Sequence, residues 1–248
     1  MIRLRAAGKS DLGRVRDKDE DAFLVREDIG LFAVADGVGG HRAGEVASRI
    51  AVEALASTLG QALARPAEAF DTVAALSEAF RVAHEGIRQH AESHPRCRGM
   101  GTTLVTLLSR STSAWLAHVG DSRAYLLRRG KFSRLTEDHS AATELARRTP
   151  EFDLAALKSS PLAHVLTRCL GMNGSAGADI RPITLESQDR LLLCCDGLTD
   201  MLSEERIAQI LAAVTLRDTC CQSLIDAANV AGGKDNITVV VADVATSA

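Results

Sequence analysis

Residues 31–44 read LFAVADGVGGHRAG. The run Leu31–Ala35 is apolar without alternation, the mark of a strand buried on both faces. It ends on a carboxylate, Asp36, and runs straight into Gly37, Gly39 and Gly40. A strand of this kind must be covered from two sides, so the stretch calls for a layered fold. The glycines allow the Gly37 carbonyl to turn outward and an anion to approach the backbone at 39–40 with no side chain between.

The surroundings specify the layers. Short apolar segments at Ile2–Ala7 and Ala22–Arg26 precede the quoted strand. Helical stripes follow it, first Val46, Ile50, Ala54 and Leu55, then Phe70, Val73, Leu76, Phe80, Ala83 and Ile87. Pro66 fits the first turn of the second helix, and Gly86 costs that helix roughly 1 kcal/mol relative to Ala. Strand patterns return at 102–110, 113–120, 124–130 and 131–136, with Arg129-Gly130 as a tight hairpin turn. A short helix around Thr143–Arg148, a strand at 190–195, helices near 203–213 and 216–231, and a strand at 237–244 complete the chain. Hairpin-linked strands with segregated helices predict an α+β fold. Two antiparallel sheets flanked by helix pairs, a four-layer α-β-β-α sandwich, would bury every stripe. No linker or repeat divides the chain, so one domain over 1–248 is expected.

Composition narrows the functional classes. The 248 residues are 46% hydrophobic with a formal charge of −3, which supplies a sizeable core and no basic field for nucleic acid. No apolar run is long enough to span a membrane, and the N-terminus lacks the apolar middle of a signal peptide; a cytoplasmic location is expected. The six cysteines include the vicinal pairs Cys194-Cys195 and Cys220-Cys221 and lack the spacing of a zinc site or a disulfide framework. They read as small apolar filler.

The acids carry the functional signal. Asp36, Asp121 and Asp196 each follow a strand, while Glu20-Asp21 and Asp235-Asn236 each precede one. In antiparallel sheets the end of one strand lies beside the start of its neighbour, so all five groups can meet on one rim. A single Asp-Gly is usually a turn. Here the DG pairs at 36 and 196, the GDS at 120 and the DN at 235 all abut strands, and their joint occurrence points to a carboxylate cluster. Such a cluster repels itself unless cations occupy it, and oxygen-only donors favour Mg²⁺ or Mn²⁺.

These segments together resemble the metal-dependent protein phosphatases of the PPM, or type 2C, family in compact bacterial form. The resemblance runs through RDKDEDA (16–22), VADGVGGHRAGEVAS (34–48), GMGTT (99–103), HVGDSRAYLLRRG (118–130), LTEDHS (135–140), LTRCLG (166–171), LLLCCDGLTD (191–200) and GGKDNITVVV (232–241). It implies that Asp36 bridges two ions, with the Gly37 carbonyl on the second. It further implies that Asp196 and Asp235 complete the first ion's shell, Glu20 holds the second through water, and Asp121 with Asp196 makes a third site. Arg16 matches the arginine that binds the substrate phosphate, a task suited to its planar fork. The implied reaction is hydrolysis of phosphoserine and phosphothreonine by a metal-bridging hydroxide, opposing a Ser/Thr kinase. Two ions roughly 3.5–4 Å apart suit that chemistry. The implied enzyme is a monomer acting on phosphoproteins, with a flap at about 140–170. A pseudophosphatase would usually have lost ligands, and every core acid is present here.

Four further positions complete the picture. Val38 stands where many eukaryotic relatives carry a histidine; His41 is a weak substitute and reads first as a loop residue. Asp19 replaces a common asparagine and either tightens metal binding or faces solvent. His139 reads as structural, and Arg147-Arg148 as a solvated face.

Overall fold

In the computed structural model, which describes residues 3–38, 43–64, 70–110, 113–149, 160–172 and 177–245, Leu31 to Ala35 are all buried. They lie in β3 (Leu31–Val38), between β2 (Asp21–Arg26) and β5 (Leu104–Arg110). The absence of alternation has a direct cause. Leu31, Ala33 and Ala35 pack with Leu55, Leu59, Phe80 and Ile87 of α1 (Gly44–Leu63) and α2 (Thr72–Ser93). Phe32 and Val34 face the other way, toward Leu193, Val240 and Ala242 of the second sheet. Both faces of the strand are therefore interior.

One sheet has the order β2-β3-β5-β6-β9, where β6 is Ser113–Val119 and β9 is Asp179–Ile183, with the two-residue β4 (Gly101–Thr102) paired to β3. The other runs β1-β11-β10-β7-β8, formed by Arg3–Asp11, Ile237–Ala245, Arg190–Cys194, Arg123–Arg128 and Lys131–Arg134. All named strand pairs are antiparallel. The chain also forms α3 (Ala141–Arg148), the four-residue α4 (Asp196–Thr199), α5 (Glu204–Ala213) and α6 (Arg217–Val230). Ile207, Leu211, Leu224 and Ile225 of α5 and α6 pack on Leu192, Cys194, Val239 and Val241. Helix pair, sheet, sheet and helix pair are thus separated by three apolar layers, as the stripes predict.

Several boundaries differ from expectation. β1 continues beyond Ala7 to Asp11, because β11 pairs with it along its length, down to Asp11↔Ile237. α2 starts at Thr72, where Asp71 accepts hydrogen bonds from the amides of Val73 (2.9 Å) and Ala74 (3.0 Å). That cap, rather than Pro66, begins the helix; Pro66 itself lies outside the described residues. The expected strand 102–110 is broken at Thr103, whose amide and hydroxyl turn to Asp36. β9 carries no apolar alternation and includes Pro182, consistent with its place at a sheet edge. The hairpin at Arg129-Gly130 is as read, with φ of 50° and 77°, the paired positive values of a type I′ turn.

Candidate active site

The strand ends deliver their acids to one cavity of about 510 Å³, lined by Arg16, Glu20, Asp36, Gly37, Asp121, Asp196 and Asp235 among others. Every residue singled out from the sequence as a ligand or phosphate binder is therefore at this rim. Asp21 stands directly across from Asp36 in the β2–β3 register. The backbone of Asp36 is clamped from β4 and the break beside it. Its amide donates to Thr103 Oγ1 (3.0 Å), and its carbonyl accepts from the Thr103 amide (2.9 Å) and from Thr102 Oγ1 (2.8 Å). The Thr103 hydroxyl also bonds Ser122 at 2.6 Å, which ties the Asp36 strand to the Asp121 loop.

Two glycines here are required by space. A Cβ at Gly37 would collide with the carbonyls of Gly44 and Glu20, and one at Gly197 with the carbonyl of Asn236. The Asp-Gly pairs therefore recur because neighbouring backbone presses on the residue after each acid. A Cβ at Gly44 would lie 2.6 Å from Glu20 Oε2 and 2.8 Å from the Gly37 carbonyl oxygen. Gly44 therefore has to be bare for the Glu20 carboxylate and the Gly37 carbonyl to occupy these positions.

Asn236 organises the loop that carries Arg16 and Glu20. Its Oδ1 accepts from the Glu20 amide (2.8 Å), while Nδ2 donates to the carbonyls of Leu12 (3.0 Å) and Lys18 (2.9 Å). Arg16 donates to Asp235 Oδ2 at 2.6 Å. Asp19 is half-buried and is not among the residues lining the cavity: it accepts from Ser10 Oγ (2.6 Å) and the Asp21 amide (3.0 Å), bracing the loop.

Burial and mutual repulsion disfavour ionisation of the acids Asp21, Asp36, Asp121 and Asp196. Burial, then the charges of Asp21, Asp196 and Asp121, push Asp36 well above the usual carboxylate range. Burial raises Asp21 and Asp121 to about 8 and Asp196 to about 6. Asp21 Oδ2 is buried with no hydrogen-bond partner. Asp21 lies beside Asp36, with Cys195 Sγ also within 4.8 Å, and an orphaned carboxylate oxygen next to a second carboxylate fits a hard divalent cation.

Two lining residues escaped the sequence, His164 and Asp200. Asp200 was legible in principle, since it stands one helical turn after Asp196, its amide bonding the Asp196 carbonyl (2.8 Å). His164 ends a short 3₁₀ turn and has no local signal. Gly39, Gly40 and His41 lie outside the described residues.

The other side readings resolve simply. His139 is buried, accepting from the Gly120 amide at Nδ1 (3.1 Å) and facing Asp179 with Nε2 (3.3 Å). Arg147 and Arg148 pair with Glu137 (2.6 Å) and Glu144 (3.3 Å) on the surface. All six cysteines are free. Burial pushes the thiols of Cys194 and Cys221 up to about 12 and Cys169 to about 11, far from nucleophilic thiolates.

Known proteins are similar to this chain in sequence and fold. The sequence pattern of protein phosphatase 2C matches residues 14–227. This chain belongs to the protein phosphatase 2C family. It is a serine/threonine protein phosphatase. The serine/threonine phosphatase stp of Listeria monocytogenes is 37% identical over 244 residues, spanning 97% of this chain and 96% of that protein. The crystal structure of the Mycobacterium tuberculosis serine/threonine phosphatase PstP aligns with a TM-score of 0.88 at 35% identity, over 99% of this chain and 100% of that one. A second structure, of the PstP catalytic domain in complex with two manganese ions, aligns at 0.87 and 36% identity over 99% and 100%. No described helix of this phosphatase is long and apolar enough to cross a membrane.

Proposed function

We propose that this phosphatase removes phosphate from phosphoserine and phosphothreonine in proteins by direct attack of water on phosphorus, without a phosphoenzyme, and that it opposes a bacterial Ser/Thr kinase. Residues 1–248 would act as one catalytic unit, a monomer with the segment at about 140–170 as its flap. The observation that carries this is the cluster of Asp36, Asp196, Asp235 and Glu20 facing one cavity with Arg16 at its edge.

Asp36, the Gly37 carbonyl, Asp196, Asp235 and Glu20 would hold two Mn²⁺ or Mg²⁺ ions, and Asp121 with Asp196 a third. Such ions, when bound, lower the pKa of water toward neutrality and offset phosphoryl charge. The protein's own part is positional. Thr102 and Thr103 hold Asp36 rigid from its backbone, and Asn236 sets the reach of Glu20 and Arg16. Arg16 offers its guanidinium to the substrate phosphate, with Asp235 already orienting one nitrogen. No buried thiol is ionised to compete as a nucleophile.

Hydrolysis of a phosphothreonine peptide bearing a chiral phosphorothioate tests the central claim. Inversion at phosphorus is expected for a single in-line displacement; retention would mean that a phosphoenzyme forms. Phosphoproteomics of a deletion strain tests the opposition to a kinase, with accumulation of phosphoserine and phosphothreonine expected.

Arg16→Ala is expected to lower kcat/KM for a phosphopeptide about 10–100-fold, the worth of charge-assisted hydrogen bonds to phosphate. Arg16→Lys should recover only part of that, because a point charge cannot bind two oxygens as a fork. An unchanged kcat/KM in Arg16→Ala would remove Arg16 from the substrate site.

A further inference from the structure

His139 joins parts of the chain that lie far apart in sequence. Its backbone amide donates to the Gly120 carbonyl (3.0 Å), and the Gly120 amide donates back to its Nδ1 (3.1 Å). Gly120, the residue directly before Asp121, is thus gripped on both sides, at a φ of 98° that suits only glycine. Ser122, just beyond Asp121, bonds the Thr103 hydroxyl that clamps Asp36. On its other side, the His139 carbonyl accepts from the Thr167 amide (2.9 Å), and Nε2 faces Asp179 Oδ2 (3.3 Å). The second oxygen of Asp179 takes a 2.7 Å bond from Arg168. Since a ring nitrogen that accepts carries no proton, the neutral imidazole has its hydrogen on Nε2, where Asp179 receives it. Burial, then the charges of His118 and Arg168, lowers the His139 pKa to about 4 and keeps the ring neutral. His118 stacks on it at 4.7 Å and is itself fixed by donating Nε2–H to the Glu137 carbonyl (2.8 Å).

We propose that His139 is a positioning residue for phosphoester hydrolysis: its Nδ1 fixes the Asp121 loop at the catalytic rim, and its Nε2, through Asp179 and Arg168, fixes the segment 160–172 beside that rim. The two nitrogens have separable consequences. Asp121 lines the catalytic cavity, so a shift of the Gly120 backbone moves a carboxylate that faces the reaction and acts on kcat. The segment 160–172 supplies His164 and Leu166 to the cavity wall and leaves Leu162 and Val165 exposed next to them. Its placement therefore acts on how a phosphopeptide seats, and so on KM. A histidine that merely filled the core would not divide its effects by ring nitrogen. The inference rests on the reading that places Asp121 in the metal-holding cluster.

Asparagine and glutamine separate the two nitrogens, because the Asn side-chain oxygen falls near the place of Nδ1 and the Gln amide nitrogen near that of Nε2. His139→Gln loses the acceptor for Gly120 and is expected to lower Mn²⁺-dependent kcat for a phosphothreonine peptide about 10–100-fold, with KM little changed. His139→Asn keeps that acceptor; it should recover kcat to within about threefold of wild type and raise KM about fivefold, the worth of one hydrogen bond. Asp179→Ala, on a half-exposed side chain, should reproduce that KM rise without touching the core. In the metal-free wild type, ¹⁵N NMR should show the imidazole proton on Nε2 and a coupling across the hydrogen bond from the Gly120 amide nitrogen to His139 Nδ1. Equal kcat losses in His139→Gln and His139→Asn overturn the proposal, as does an imidazole proton found on Nδ1. Should neither His139 variant fold, the NMR coupling and Asp179→Ala decide: absence of the coupling, or an unchanged KM, overturns it. Asp121→Asn separates the two readings. If it loses kcat and His139→Gln does not, the positioning role fails and the reading of Asp121 stands. If Asp121→Asn keeps wild-type kcat while the coupling is present, the reading of Asp121 fails instead.

Discussion

Asp36→Asn is expected to lower Mn²⁺-dependent turnover of a phosphothreonine peptide roughly a thousandfold or more while leaving the fold intact. The substitution preserves shape and every backbone clamp, since Thr102 and Thr103 hold the main chain of Asp36 rather than its side chain. What it removes is a charge placed among Asp21, Asp196 and Asp121. Without metal that charge is a liability, so the same variant should be more stable than wild type at pH 8. A higher metal-free Tm than that of wild type is expected. Catalysis and metal-free stability would thus move in opposite directions from a single atom exchange. Retention of more than a tenth of wild-type kcat/KM would remove Asp36 from the centre of the reaction. A fall in metal-free Tm would mean that the carboxyl is a structural partner instead.

The second large effect is a dependence of stability on pH that metal erases. Asp21 and Asp121 are raised to about 8 and Asp196 to about 6, each above the ordinary value of an unfolded aspartate. Between those limits the folded state binds more protons than the unfolded one. Stability then falls as pH rises, by about 1.4 kcal/mol per pH unit for each excess proton held. Below the unfolded value both states are protonated and the contribution is level. The metal-free protein should accordingly melt higher at pH 6 than at pH 8. Saturating Mn²⁺ should raise Tm most at pH 8, since cations bind the ionised carboxylates that protons have left; at 100 times Kd the gain is about 2.7 kcal/mol. Thermal melts at both pH values, with EDTA and with Mn²⁺, check this. A metal-free Tm that climbs from pH 6 to pH 8 would show that the acids are stabilised by something other than protons or cations.

These outcomes depend on features of unequal visibility. The unalternating run Leu31–Ala35 announced a strand between two layers because each residue must be apolar when both faces are interior. Gly130 announced the turn after Arg129 because glycine takes positive φ at no steric cost. The acids at strand ends announced a shared rim because antiparallel pairing alone brings starts beside ends. Each of these signals is complete within a few residues.

Tertiary structure decided the rest. Thr103 broke an otherwise continuous strand to clamp a residue 67 positions away. Asn236 reached across 216 positions to shape the loop carrying Glu20. Gly44 and Gly197 are bare because backbone from elsewhere presses on them. Asp21 became a proton-holding acid only once β2 was seated against β3 and buried, and His164 met Asp200 only through the folding of the flap. Periodicity and turn chemistry are written in neighbouring residues, whereas burial, charge and close approach belong to partners distant in the chain.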